Sequence, residues 1–274
     1  MDEQKTSSKR KAYPSDLSDL EFERIEALLP PPKRRGRKRS LDLREVVNAI
    51  LYVLKTGVQW GYLPHDFPAK SSVYDYYSAW KEDGTWKQIA AVLLEEARVL
   101  EGRERTPSMA IVDAQSVQNT GALDEARGFD GGKKVRGRKR HFLVDTVGLI
   151  LGVLVTVANV YDSQALPDMV AQASRDHGGL ERLEVVLGDS AYQGQDEALR
   201  RVHPSARLEV VTREPGTKGF VVQPRRWVVE RSISWVVQNR RLVRDHEFHA
   251  DSAQAWLHIA AARHALRRIS RISG

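Results

Sequence analysis

The sequence contains no cysteine, which excludes disulfides, thiolate zinc sites and cysteine nucleophiles. It also lacks a long apolar run. The longest, LILGVLVTVANV at 149–160, is too short to cross a bilayer and is typical of a β-strand. The amino-terminal MDEQKTSSKRKAYP has no apolar core behind its charges, unlike a secretory signal. These absences favour a soluble protein of the cytoplasm, with no membrane partner.

The charge of the chain is unbalanced towards the basic side. Lys and Arg number 43 and Asp and Glu 36, which gives a formal net charge of +7. A basic balance favours a polyanionic partner such as nucleic acid. The 274 residues, of which 41% are hydrophobic and 29% charged, suffice for one large globular domain or two smaller ones.

Helical patterns occupy the first hundred residues. The residues at 1–12 are polar, and we expect a disordered tail there. Ser18 and Glu21 have the spacing of a capping box at the start of a first helix. Three further helices are predicted, beginning at Ser40, at Ser71 or Ser72, and near Trp86. Residues 13–104 are therefore expected to form a small all-α DNA-binding module.

Strand patterns begin after Pro107. Apolar runs of strand length lie at 109–114, 141–146, 149–158 and 183–188, with a shorter one at 208–212. Helices are predicted at 163–176, at about 224–242 and at 251–270. Three successive strands followed by alternating helix and strand predict an α/β catalytic domain with a mixed sheet at 105–274.

Three acidic residues have contexts that suit a metal site. Asp113 closes an apolar run in MAIVDAQSV and Asp189 closes another in LEVVLGDSAY, so both are expected at strand ends. Glu230 lies in the basic segment RRWVVERSISWVVQNRRL, where a helix is predicted. Carboxylates from separate segments can hold divalent ions that act on phosphodiesters, and their oxygens suit Mg²⁺ or Mn²⁺. Each acid alone is more often a turn, a cap or a surface residue, so the prediction depends on all three together.

Other acids compete for this assignment. Asp145 ends HFLVD and Asp162 precedes a predicted helix, and we assign turn or capping roles to both. Asp124 and Asp130 lie in a basic loop, where we expect them to be solvated.

Two basic clusters and the residues around Glu230 are predicted to contact DNA phosphates. The alternative for such a run is a solvated linker. The predicted contacts are Lys33, Arg34, Arg35, Arg37, Lys38 and Arg39 in the first cluster, Lys133, Lys134, Arg136, Arg138, Lys139 and Arg140 in the second, and Arg226, Arg240 and Arg241 beside the acid.

Several strings, in order, resemble bacterial insertion-sequence transposases of the IS-five group. They include YPSDLSDLEFERIEALLP, IVDAQSVQNT, ANVYDSQ, VVLGDSAYQG and RWVVERSISWVVQNRRL, and the resemblance runs from about Tyr13 to Ile259. It implies a ribonuclease-H-like DDE core, with Asp113, Asp189 and Glu230 as the triad and two Mg²⁺ or Mn²⁺ ions. It also implies cutting of double-stranded DNA at terminal inverted repeats, insertion into target DNA, and a homodimer or higher oligomer on DNA at the bacterial nucleoid.

One departure concerns residues around the glutamate. The related IS-four group has a tyrosine seven residues before it, an arginine four before and a lysine seven after. Here Arg226 fits, whereas Gln223 and Val237 occupy the other two positions. Two alternatives stay open: a catalytically inactive, domesticated DNA-binding protein, and a simple ribonuclease-H-like nuclease.

Overall fold

The computed structural model describes residues 10–32, 40–120, 127–212 and 226–273, which form a mixed α/β fold. The helices are α1 (Asp19–Glu26), α2 (Leu43–Thr56), α3 (Lys70–Glu82), α4 (Thr85–Leu100), α5 (Leu166–Asp176), α6 (Asp196–Val202), α7 (Trp227–Val237) and α8 (Ala250–Ser273). The strands are β1 (Met109–Gln118), β2 (Gly128–Asp130), β3 (Val135–Asp145), β4 (Ile150–Val157), β5 (Val185–Gly188) and β6 (Arg207–Val210). No described helix is both long and apolar enough to span a membrane.

The amino-terminal helices begin close to their predicted positions. The capping box of Ser18 and Glu21 at the start of α1 is confirmed. Helix α2 starts later than predicted, because Asp42 rather than Ser40 is its cap and accepts a hydrogen bond from the Arg44 N–H. Arg10, inside the predicted tail, is held by Asp16 at 2.8 Å and by Glu45 at 2.6 Å.

The sheet is mixed, as predicted. Strand β1 pairs antiparallel with β3 and parallel with β5, and β5 pairs parallel with β6. The other edge of β3 pairs with β4 and, at its start, with β2. Strand β3 begins at Val135, well before the predicted residue 141, so it includes most of the second basic cluster.

The register of β1 against β5 positions two of the predicted acids. Ala110 lies opposite Val186 and Ile111 opposite Leu187, and two residues further the same register reaches Asp113 and Asp189. Asp113 is inside β1 rather than at its end, because β1 continues to Gln118 through its pairing with β3. Asp189 directly follows β5, as predicted.

The amino-terminal helices and the sheet share one apolar core. Helix α8 packs along α4, and Trp256 of α8 stacks on Tyr77 of α3 with ring centroids 4.7 Å apart. The Tyr77 hydroxyl donates to the Ser252 carbonyl at 3.1 Å. Helix α7 lies on β1 and β3, so it is fixed above the strand that carries Asp113.

Buried arginines and a buried lysine correct part of the predicted DNA surface. Arg138 and Arg140 are 0% and 1% exposed and donate to carbonyls of the segment at 242–248. Lys139 faces the opposite side of the sheet and lies 2.6 Å from Asp162. Arg241 is also buried and pairs with Glu247. The charges of all four residues are used inside the protein, so these residues are not available as DNA contacts.

Lowering the pH from 7 to 5 is expected to destabilise the fold, because His141 is fully buried and burial lowers its pKa to about 4. An unfolded histidine has a pKa near about 6.5. Between those values the unfolded chain binds a proton that the folded chain does not, so stability is lost as the pH falls through this window. We expect His141 alone to contribute a loss of roughly 2 kcal/mol at pH 5.

Urea denaturation at the two pH values measures this loss. We expect His141→Gln to depend less on pH than the wild type. An equal loss in the variant would show that another group is responsible.

Candidate active site

Asp113 and Asp189 converge on one guanidinium group. The Arg226 Nη2 lies 3.4 Å from Oδ2 of Asp113 and 3.6 Å from Oδ2 of Asp189. Arg226 occupies the residue before α7, so the helix that covers the sheet also places a cation between the two carboxylates. A site that holds one positive charge between two acids is chemically suited to a cation.

Each aspartate is also held by a neighbouring backbone N–H. Oδ1 of Asp113 accepts from Ala114 at 2.7 Å, and Oδ1 of Asp189 accepts from Ala191 at 3.0 Å. Burial raises the pKa of Asp113, and the negative charge of Asp189 raises it further, while the Ala114 N–H and Arg226 oppose the shift. The carboxylate of Asp113 therefore depends on nearby positive charge to remain ionised.

Glu230 lies one helical turn after Arg226 and is exposed. It lines a shallow groove together with Ala114, Ser116 and Lys133, next to Asp113 along β1. Among the described residues, no group of three or more acids and histidines is close enough to hold a metal ion. The structure thus brings two of the three predicted acids together and places the third in the adjoining groove.

Tyr192 is a residue of this site that sequence reasoning missed. It is 1% exposed, and its hydroxyl has no hydrogen-bond partner among the described residues. Burial raises its pKa well above the usual value, and the charges of Asp113, Asp162 and Asp189 raise it further. A Cβ at Gly188 would lie 2.9 Å from the Tyr192 ring, so a glycine is needed before Asp189. The string GDSAY was the available signal.

The competing acids Asp130 and Asp162 form a network with lysines, and this network shares Ser116 and Lys133 with the groove of Glu230. Asp162 pairs with Lys139 at 2.6 Å and with Lys133 at 3.7 Å, so its role is ionic rather than the predicted cap. Asp130 is 9% exposed and accepts from Ser116, which corrects the prediction that it is solvated. Hydrogen bonds and lysine charges lower the pKa of Asp130 to about 2, although burial, the largest influence, opposes them. Asp124 lies outside the described residues.

The predicted turn role of Asp145 is confirmed. Its Oδ1 accepts from the N–H groups of Val147 at 3.0 Å and Leu149 at 2.8 Å. The carboxylate is also paired with Arg98 of α4 in the protein interior. Asp145 therefore joins α4 to the β3–β4 turn.

The remaining basic residues differ in placement. Lys133, Lys134 and Arg136 are exposed near the groove, and the Lys133 Nζ donates to the Ala114 carbonyl at 2.9 Å. Arg240 is also exposed. The first basic cluster, 33–39, and Gln223 lie outside the described residues.

The donor chemistry of the site fits a hard divalent cation. Asp113, Asp189 and Glu230 offer only carboxylate oxygens, which suit Mg²⁺ or Mn²⁺. The Arg226 guanidinium already holds a positive charge between the two aspartates. The three acids therefore offer the donor chemistry that such an ion prefers.

Comparison with known proteins gives two family matches. The model described as "Putative transposase of IS4/5 family" matches residues 17–90, and the model described as "Transposase DDE domain" matches residues 104–263. No solved structure matches the chain.

Two relatives come from Burkholderia cepacia. The "Insertion element IS402 uncharacterized 16.2 kDa protein" is 36% identical over 104 residues, covering 36% of this chain and 69% of the relative. The "Putative transposase for insertion sequence element IS402" is 35% identical over 127 residues, covering 44% of this chain and 59% of the relative. The chain thus spans less than two thirds of the second relative.

Proposed function

The chain belongs to the family of transposases that carry the DDE domain, and on that premise we propose that it cuts DNA at the ends of an insertion element and joins them to target DNA. The observation that carries this proposal is the pair Asp113 and Asp189, side by side on β1 and β5 and bound to one arginine. Helix α7 brings Glu230 to the groove beside Ala114 and Ser116, which follow Asp113 on β1.

We assign the α/β core to the ribonuclease-H-like fold. The strand order supports the assignment: β4, β3 and β1 are antiparallel neighbours, and β5 and β6 continue the sheet parallel to β1. The acid-bearing strand β1 lies in the middle of that sheet, where α7 can cover it.

In the proposed mechanism, Asp113, Asp189 and Glu230 would hold two Mg²⁺ or Mn²⁺ ions. When bound, such ions activate the attacking oxygen and stabilise the leaving oxygen of a phosphodiester. The chain itself keeps Asp113 ionised through Arg226 and the Ala114 N–H, against the burial that favours the neutral acid. Tyr192 is shielded from water and packs against Gly188, the residue directly before Asp189.

The exposed cations beside the acids are proposed to position the DNA strand. Lys133 is anchored on the Ala114 carbonyl and lines the groove of Glu230. Lys134, Arg136 and Arg240 extend the positive surface, and the cluster at 33–39 is proposed as a further backbone contact. Two element ends must meet in one reaction, which supports a homodimer or higher oligomer on DNA.

The test is a joining reaction. Purified protein is incubated with labelled element ends, Mg²⁺ and a target plasmid, and joined products are expected. Cleavage without joining would replace the proposal with a simple nuclease, and DNA binding without cleavage would replace it with an inactive DNA-binding protein.

A further inference from the structure

A basic cavity of about 400 Å³ lies between α7, α8 and the end of α2. That volume is within the range of about 300–1,000 Å³ that is usual for ligand sites. Six cationic side chains line it: Lys55, Arg231, Arg263, Arg267, Arg268 and Arg271. Among the described residues of its wall, Glu101 is the one carboxylate. The cavity therefore carries a marked excess of positive charge.

Most of these cations have no acidic partner. Arg268 pairs with Glu101 at 2.5 Å, and Arg263 pairs with Glu21 at 2.7 Å. Within the described part of the chain, no ion pair joins Lys55, Arg231, Arg267 or Arg271 to a carboxylate, and the one acid whose charge acts on Arg267 is Glu21, the partner of Arg263. Crowded cations without counter-charges repel one another, so a bound anion would stabilise the arrangement.

Burial and the neighbouring positive charges lower the pKa values of two side chains that line the cavity. Burial lowers the pKa of Arg231, and the charge of Arg268 lowers it further. Burial also lowers the pKa of His264 to about 4, with added repulsion from the surrounding arginines, so this imidazole is neutral at pH 7. The cavity thus has a local potential that favours negative charge.

Arg231 is fixed in place before any ligand arrives. Its guanidinium lies 4.4 Å from the Trp227 ring centroid and 4.7 Å from that of Trp235. Its Nη2 donates to the Val147 carbonyl at 3.2 Å, while its buried Nε–H has no partner among the described residues. A stacked guanidinium loses little conformational freedom when it binds an oxyanion.

We propose that this cavity binds a phosphate of the DNA backbone at a point distinct from the scissile phosphate. An α-helix turns about 100° per residue, so the consecutive residues Glu230 and Arg231 project to different sides of α7. Glu230 faces the acid groove, and Arg231 faces the cavity. One helix can therefore relate the reacting strand to a second contact on the same DNA. The inference rests on the proposed function, because it takes DNA as the partner.

The test measures the affinity of the full chain for duplex DNA at several salt concentrations. The variant is Arg267→Gln/Arg271→Gln, because both side chains are exposed at the cavity and carry no ion pair that the fold needs. The matched control, Arg175→Gln/Arg182→Gln, removes two exposed charges outside the cavity. We expect the cavity variant to bind at least tenfold more weakly than the control. Its slope of log affinity against log salt should be shallower by about 2.

The melting temperature shows whether the cavity variant is still folded. The melting temperature of the cavity variant should be no lower than that of the wild type, since the substitutions relieve repulsion. An affinity and a salt slope equal to those of the control would overturn the inference.

A second arm distinguishes DNA from a small anion. The melting temperatures of the wild type and the cavity variant are measured with inorganic pyrophosphate and without DNA. If pyrophosphate raised the melting temperature of the wild type but not of the variant, while the DNA affinity of the variant equalled that of the control, the cavity would bind small phosphates instead of DNA. A wild type that bound no DNA would overturn the inference and the proposed function together. If the wild type joined DNA ends and the cavity variant bound DNA as tightly as the control, the cavity proposal would fail while the proposed function would stand.

Discussion

Asp113→Asn is expected to reduce DNA cleavage and joining by at least about a thousandfold, or roughly 4 kcal/mol of transition-state stabilisation. The substitution keeps the size of the side chain and removes the charge that would hold a divalent ion. Asp189→Asn and Glu230→Gln should have effects of the same order. Joining of labelled ends under Mg²⁺ measures all three.

The fold should survive Asp113→Asn. Burial raises the pKa of this carboxyl, so its charge is not what stabilises the folded chain. DNA affinity and melting temperature should therefore stay near those of the wild type. Asp168→Asn, at an exposed acid in the first turn of α5, is the control and should keep full activity. Wild-type joining by any one of the three acid variants would remove that acid from the site.

Asp245→Ala is expected to lower the free energy of unfolding by about 3–5 kcal/mol. Asp245 is 1% exposed and accepts from the Arg138 Nη1 at 3.0 Å. Its charge also opposes the burial that lowers the pKa of Arg140 to about 10. Removing this carboxylate would leave the buried positive charges of Arg138 and Arg140 with less negative charge to balance them. Urea denaturation monitored by circular dichroism measures the loss.

Asp251→Ala is the matched control for Asp245→Ala. Asp251 also forms an ion pair, with Lys81 at 2.8 Å, but its side chain is 62% exposed. An exposed pair contributes at most about 1 kcal/mol. If Asp245→Ala cost no more stability than the control but abolished DNA binding, the arginines of β3 would be DNA contacts after all.

The arginines of β3 show where prediction from the sequence ended. The string VRGRKRH predicts a basic loop, because charged residues are rarely buried without partners. The partners exist, but Asp245 lies more than a hundred residues further along the chain. No local pattern contains that pairing, so the burial of Arg138 and Arg140 follows only from the fold.

The sequence predicts which acids form the site and which elements carry them, but it does not predict all of their contacts. Apolar runs before Asp113 and Asp189 predict both at strand ends, and their adjacency follows from the parallel register of β1 and β5. The helical position of Glu230 follows from the spacing of apolar residues in α7. From the sequence, Arg226 is singled out only because it matches an arginine position of the family. Its contact with both aspartates depends on how α7 packs on the sheet.

Tyr192 was not predicted, because a tyrosine close after an aspartate has many ordinary roles. Its burial depends on the absence of a side chain at Gly188, where an added Cβ would lie 2.9 Å from the Tyr192 ring and 3.1 Å from Val112 of β1. Pairing of β1 with β5 brings Val112 close to Gly188. The sequence therefore predicts the chemical types in the site, and the fold determines which of them meet.

The central claim is that Asp113, Asp189 and Glu230 hold divalent metal. Iron(II) substituted for Mg²⁺, with ascorbate and peroxide, generates hydroxyl radicals that cut the polypeptide beside the bound ion. If the three acids hold the ion, cuts are expected near residues 113, 189 and 230, suppressed by excess Mg²⁺ and absent in Asp113→Asn/Asp189→Asn. Cuts that cluster elsewhere, or that persist unchanged in the double variant, would contradict it.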